Sequence, residues 1–334
     1  MNFKTRTALG LHWIILIVLS GCMPSTKKQN PIVTENLLAN ALDQGSLLIL
    51  DTNTQYSIFN LETKEKILLD LPKNLRSIDL SPNGQWVAYI SREGNTLTIL
   101  NIKTMKRAHL IHSPESDVQL GISLAWSPDS KSVVFSCNVR GTLGLSLCRM
   151  EVSASQDAIE ILVSSETLRA SDVFEGVYSP SWSQDGKKII FLSIYESVLT
   201  NGKNGSVADI WAFDLLDNST QMLLKEGNEE ITFIYEPVFL ANPNSILFSG
   251  RRGEFNSIFE YDIDTQSIQT VTSLENNFDL VDYVISPDAE WFIASIPRGM
   301  QPEQVFVPTL FSVHGEAPQP IDWLDHARVV DWAK

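Results

Sequence analysis

From residue 45 onward, short runs in which apolar and polar residues alternate are interrupted at regular intervals by Ser, Pro, Asx and Gly. A period of two marks half-buried β-strands, and those interruptions are turn chemistry. Five windows align without a gap: Ile78 to Tyr89, Leu124 to Phe135, Pro180 to Phe191, Pro237 to Phe248 and Tyr283 to Ala294. Each reads as strand, turn, strand. The turns are Ser81-Pro82-Asn83-Gly84, Ser127-Pro128-Asp129-Ser130, Ser183-Gln184-Asp185-Gly186 and Ser286-Pro287-Asp288-Ala289, with a drifted copy at Leu240-Ala241-Asn242-Pro243-Asn244. The residue before each turn is large and apolar (Leu80, Trp126, Trp182, Phe239, Ile285), as a wedge between stacked sheets requires.

A third strand and a similar turn follow each window, as in Leu97 to Thr104, Ile210 to Asp214 and Ile258 to Thr265. A fourth strand comes next, as at Ala108 to Ile111, Glu160 to Val163, Gln221 to Leu224 and Ile268 to Val271. Repeated units of four antiparallel strands specify propeller blades. The first unit, Leu47 to Leu69, lacks its first strand, and the last eight residues, Ala327 to Lys334, form a first strand with no successor. Joined together they make a sixth blade, with Trp332 in register with the other wedges. The expected fold is therefore all-β, a six-bladed propeller over residues 45–334, closed by the C-terminal strand pairing with the N-terminal strands.

The first 21 residues follow a different pattern. Lys4 and Arg6 precede an apolar run from Ala8 to Leu19, too short to span ~30 Å of hydrocarbon but suited to a signal peptide. The run ends in Leu19-Ser20-Gly21-Cys22, which resembles a bacterial lipoprotein signal. That resemblance implies cleavage after residue 21 and lipid attachment at Cys22. Residues 22–44 begin polar and proline-bounded and read as a lipidated tether. Met23 stands where an aspartate would imply inner-membrane retention, so the expected address is the outer membrane facing the periplasm in a Gram-negative cell, and otherwise the cell surface.

Charge narrows the partners. The chain carries 25 Lys and Arg against 40 Asp and Glu, a formal net charge of −15, which repels phosphate backbones and argues against nucleic acid. Five histidines and three cysteines leave little material for a metal centre, and no cofactor or metal is expected. His109 and His112 share a strand and point to opposite faces. Asp262-Ile263-Asp264-Thr265 reads as the same turn as Asn101-Ile102-Lys103-Thr104. Cys137 ends one strand and Cys148 lies in the next, a register that sets them opposite each other as a candidate disulfide; two buried free thiols are the alternative.

The windows, notably Trp182-Ser183-Gln184-Asp185-Gly186-Lys187-Lys188-Ile189-Ile190-Phe191, resemble the repeat of TolB-type propellers, a WD-repeat-like family. TolB carries an additional amino-terminal α/β domain for which the stretch after Cys22 has no room. The same propeller precedes the hydrolase domain of prolyl oligopeptidase-type peptidases and occurs in some lyases and lactonases. The peptidases need Gly-x-Ser-x-Gly in a strand-to-helix elbow, and Gly121-Ile122-Ser123-Leu124-Ala125 approaches it only within an inner strand. No catalytic residue is assigned.

Two functions stay open: a lipid-tethered envelope module that binds a protein, a peptide or a glycan, and an envelope hydrolase or lyase using carboxylates at the channel mouth. The connections from fourth to first and from second to third strands hold the length variation, in residues 164–178 and 194–209. Their face is the expected recognition surface, with Tyr178, Tyr195, Tyr235, Glu236, Asp282 and Tyr283 as candidate binding residues.

Overall fold

A computed structural model describes residues 42, 44–93, 95–112, 117–140, 144–153, 158–168, 174–198, 204–274, 283–298, 305–315, 317–324 and 327–334. The signal segment, Cys22, nearly all of the tether, and Asp282 lie outside these residues. The chain enters through β1 (Ser46–Leu50), β2 (Tyr56–Asn60) and β3 (Lys66–Leu68). Blade 1 is β4 (Leu75–Leu80), β5 (Trp86–Ser91), β6 (Thr96–Asn101) and β7 (Arg107–His112). Blade 2 is β8 (Val118–Trp126), β9 (Ser132–Val139), β10 (Ser146–Glu151) and β11 (Glu160–Val163). Blade 3 is β12 (Phe174–Trp182), β13 (Lys188–Val198), β14 (Asn204–Asp214) and β15 (Ser219–Leu224). Blade 4 is β16 (Ile231–Phe239), β17 (Ser245–Arg252), β18 (Phe255–Asp262) and β19 (Ser267–Leu274). Blade 5 is β20 (Tyr283–Ile285), β21 (Trp291–Arg298), β22 (Val305–Ser312) and β23 (Gln319–Pro320), and β24 (Arg328–Ala333) ends the chain.

Every sheet has four antiparallel strands, and the sixth has the order β24-β1-β2-β3. The expected shared blade is thus present, with Ser46 opposite Ala333 and Leu50 opposite Arg328. Gly45 adopts φ 94° where the chain turns into β1, and a Cβ there would run into the carbonyl of Ala333. Lys334 N–H donates to the carbonyl of Pro82 at 3.2 Å, tying the chain end to the first turn of blade 1.

Six apolar clusters hold the ring, each shared by two neighbouring blades and each holding one wedge residue. Trp126 packs with blades 1 and 2, Trp182 with 2 and 3, Phe239 with 3 and 4, and Ile285 with 4 and 5. Trp332 joins blades 5 and 6, and Leu80 joins 6 and 1. Burying such side chains contributes about 1.5–3 kcal/mol apiece, so the cores lie between blades rather than within them.

The recurring Ser turns have one construction. The buried Ser81 hydroxyl donates to Asn83 Oδ1 at 2.8 Å and accepts from Trp86 N–H at 2.9 Å, and Ser127, Ser183 and Ser286 repeat this with Asp129, Asp185 and Asp288. The Asp262 turn is structural as well: its Oδ1 accepts from Thr265 N–H and Oγ1–H, as Asn101 Oδ1 does from Thr104. His109 is bonded to Thr98 across its sheet.

A disulfide joins Cys137 and Cys148, with Cα atoms 6.0 Å apart. The expected register needs correction: Cys137 pairs with Ser146 and Cys148 with Phe135, so the two cysteines are diagonal neighbours rather than directly opposite. The segment 194–209 also differs from a plain connection. Its flanks extend β13 and β14 into an eleven-residue-per-strand hairpin whose pairing reaches Val198 and Asn204.

Candidate functional site

The inner strands β4, β8, β12, β16, β20 and β24 line a central cavity of about 940 Å³. All six run the same way, from the face of the long connections to the face of the Ser turns. An inner strand has a neighbour in its own sheet on one side only, so its other edge is free to be irregular. Register shifts accordingly fall at Arg76, between Leu120 and Leu124, between Tyr178 and Ser181, between Tyr235 and Val238, and between Val329 and Asp331. Ser179 and Glu236 occupy equivalent bulges at φ 46° and 47°, each followed by proline. Proline has no N–H for a ladder and is tolerated at such an edge. The bulges break the alternation of the strands and turn successive residues toward the channel.

The charged groups in the wall are Arg76, Asp79, Glu236, Arg328, Asp331 and Lys334. Arg76 and Arg328 stand four positions before their wedges, Leu80 and Trp332, on adjacent strands near the long-connection end. Glu236 lies on blade 4, across the ring from blade 1. The Arg76 guanidinium is half-buried and donates through Nη1 to Asn95 Oδ1 at 3.1 Å and Leu120 O at 2.7 Å. It makes no ion pair among the described residues.

Asp79 and Asp331, each one position before its wedge, hydrogen-bond each other in the channel wall. Asp331 Oδ2 accepts from Leu80 N–H at 2.7 Å and Oδ1 from Trp332 N–H at 2.7 Å. Asp79 Oδ2 accepts from Trp126 N–H at 2.9 Å. Each carboxyl thus fastens its own blade to the inner strand of the next. Burial, then the neighbouring charge of Asp331, holds the Asp79 carboxyl well above the usual carboxylate range; burial raises Asp331 as well. Both are partly exposed, toward the channel they line.

The candidate residues named from sequence are not gathered into one cluster. Glu236 and Tyr283 line the cavity. Tyr283 is buried, and its hydroxyl donates to the Glu236 carbonyl at 2.6 Å, fixing the bulge across the blade 4–5 boundary. Tyr178 packs against the core of blades 3 and 4. Tyr235 is partly buried and lies outside the cavity wall, near Glu226 and Arg251. Tyr195 sits on the long hairpin and donates to Asp209 Oδ2 at 2.9 Å, where burial, then the Asp209 charge, raises its phenol beyond the ordinary range.

Asp209 and Glu226 brace that loop: Glu226 N–H donates to Asp209 Oδ1, and the Glu226 carboxylate accepts from Ala208 and Phe233 N–H. Arg76, Asp79, Arg328 and Asp331 were not singled out from sequence. Extending the aligned windows two residues toward the amino terminus would have set Arg76 against Arg328, and Asp79 already stood against Asp331 within them. Among the described residues, no three His, Cys, Asp or Glu side chains gather as a metal ion would need.

No protein-family model matches the chain, and no curated protein does. Among solved structures it is similar to TolB from Acinetobacter baumannii, at 16% identity and TM-score 0.63, covering 90% of this chain and 71% of that one. It is also similar to a putative TolB from Agrobacterium tumefaciens, at 14% identity and TM-score 0.57, covering 83% and 89%. A third likeness is to an oligogalacturonate lyase in complex with manganese, at 11% identity and TM-score 0.55, covering 79% and 69%. At these identities the likeness shows the fold, a TolB-like propeller, and leaves function to the residues.

Proposed function

We propose that this TolB-like propeller is a lipid-anchored envelope module that binds a polypeptide segment of a partner at the long-connection mouth of its channel. The observation that carries the reading is the state of the channel acids. A carboxyl pair inside a cavity could serve a hydrolase, but the Asp79 and Asp331 oxygens are occupied by three backbone N–H groups and by each other. What the cavity offers instead is a broad wall of serines, wedge side chains and bulged backbone, the mixed surface of a recognition site.

The path of the chain supports the orientation. It enters β1 from the Ser-turn face, and Leu42 is already packed in the cluster that holds Trp332. A tether of this kind has an r.m.s. reach of roughly 5–6 Å times the square root of its residue number. A lipid on Cys22 would hold the Ser-turn face toward the bilayer and present the opposite mouth away from it. Durable anchoring takes two or more acyl chains, since one binds only marginally.

The experiment is site-specific photo-crosslinking in cells, with the crosslinker at Ser123 near the long-connection mouth or at Asn83 on the Ser-turn face, followed by detergent extraction. A discrete polypeptide adduct at Ser123 and none at Asn83 is the expected result; the reverse pattern contradicts the reading. In parallel, Cys22→Ser is expected to abolish labelling by a radioactive fatty acid. Labelling equal to wild type contradicts the anchor.

A further inference from the structure

We infer that Phe233 and Arg251, on the long-connection rim of blade 4, form an anchoring site for a partner segment in which an aromatic side chain stands next to a carboxylate. The inference rests on the binding reading above and names the chemistry of the segment that is bound.

The backbone gives the first sign. β16 breaks register with β17 between Thr232 and Tyr235, and Phe233 lies in that break at φ 54° with half of its surface exposed. A left-handed conformation is costly for a bulky residue, and an exposed ring gains little from burial, so local folding does not account for a phenylalanine there. The preceding Glu229 and Glu230 also have positive φ, 49° and 61°. Two bonds hold the strained segment in place: Glu226 Oε1 accepts from Phe233 N–H at 3.0 Å, and Arg252 Nη2 donates to Glu229 Oε2 at 3.0 Å. Among the described side chains the two exposed phenylalanines are Phe233 and Phe255, and both belong to this end of blade 4.

Arg251 supplies the charge. Its guanidinium carbon lies 5.1 Å from the centre of the Phe233 ring, and its Nε donates to Asn256 Oδ1 at 3.1 Å. Arg252 beside it is paired with Glu229, whereas among the described residues the Nη groups of Arg251 carry neither an ion pair nor a hydrogen bond. Asn256 is only 4% exposed, and its Nδ2 has no partner among the described residues. The buried amide and the Nη groups therefore offer donors without acceptors, beside an exposed aromatic ring. A carboxylate set against the guanidinium meets that donor set, and an aromatic group next to it covers Phe233.

The rim favours a polypeptide over an acidic sugar. Sugar hydroxyls need acceptors as well as donors, and the side-chain acceptors here are taken: Asn256 Oδ1 by Arg251, and the two Glu226 oxygens by Ala208 and Phe233 N–H.

The test is calorimetric titration of the full chain in detergent, at fixed salt, with the acetylated tetrapeptide amides Asp-Phe-Asp-Phe, Ser-Phe-Ser-Phe, Asp-Ser-Asp-Ser and Lys-Phe-Lys-Phe, and with trigalacturonate. The acidic aromatic peptide is expected to bind about tenfold tighter than each of the others, and to weaken by about tenfold with Arg251→Gln and with Phe233→Gly. Arg251→Lys, which keeps the charge but loses the planar fork, is expected to restore only part of the affinity. Glycine takes φ 54° without penalty, so Phe233→Gly is expected to melt no lower than wild type while losing the peptide. Arg140→Gln, at an ion pair on blade 2, is expected to change nothing. If Phe233→Gly does not fold, Arg251→Gln carries the test alone. Three results would overturn the inference: the acidic aromatic peptide no tighter than its serine counterparts, binding unchanged in the folded rim variants, or trigalacturonate tighter than the peptide. A mouth adduct at Ser123 together with any of these would leave the binding reading standing and remove only the rim site.

Discussion

Asp79 shows how one side chain can serve the ring and also limit it. Its folded-state affinity for a proton is raised, so between the unfolded carboxyl value of about 3.9 and the raised value the native state holds more protons than the unfolded one. The stability it contributes is full below that window and is lost as pH rises through it. Asp79→Asn keeps an acceptor for Trp126 N–H and gains a donor for Asp331, so the variant is expected to melt higher than wild type at pH 8 and to show a flatter pH dependence. Asp331→Asn removes one of two acceptors for backbone N–H groups and is expected to cost about 1–2 kcal/mol. Melting curves from pH 4 to 9 check both. The cysteines make a second test at this scale: non-reduced peptide mapping is expected to show Cys137 linked to Cys148, and Cys148→Ser to cost about 2–3 kcal/mol for a loop this short. The residue scale was the least legible in sequence, because a lone Arg76 or Asp79 looks like any polar position of a strand until neighbouring blades are superposed.

The elements were legible where period and turn chemistry agreed. Ser-Pro-Asx-Gly turns and wedge residues follow from the sequence because each copy meets the same local demand: a buried hydroxyl that closes a hairpin, and a large side chain that fills the space between two sheets. The bulges escaped notice because they belong to the free edge of an inner strand, where no partner dictates register. Pro180 and Pro237 were their visible trace. The hairpin of β13 and β14 escaped for another reason: its outer half pairs with itself and needs no core, so its residues lack strict alternation. Replacing 197–205 by Asn-Gly is therefore expected to leave stability within about 0.5 kcal/mol of wild type, and a larger loss in denaturant titration would assign that hairpin a packing role.

At the scale of the whole molecule, the blade count and the closing strand followed from arithmetic on repeats, since a blade missing its first strand and a surplus strand have one mutual solution. Deleting residues 327–334 removes β24, Trp332 and the Asp331 bonds together, and is expected to abolish soluble folding; a truncated chain with wild-type melting behaviour would refute closure by the C-terminal strand. The shared blade also imposes an order in time. A polypeptide made amino terminus first must hold β1–β3 waiting while blades 1 to 5 are made, for a strand that emerges after them, a contact between residues 46 and 333. Until then the nascent chain exposes two unsealed sheet edges, so protection by chaperones matters for this protein until β24 has emerged. A chain cut before residue 327 by a nonsense codon or by proteolysis would stay in that vulnerable condition permanently, with β1 lacking its inner neighbour.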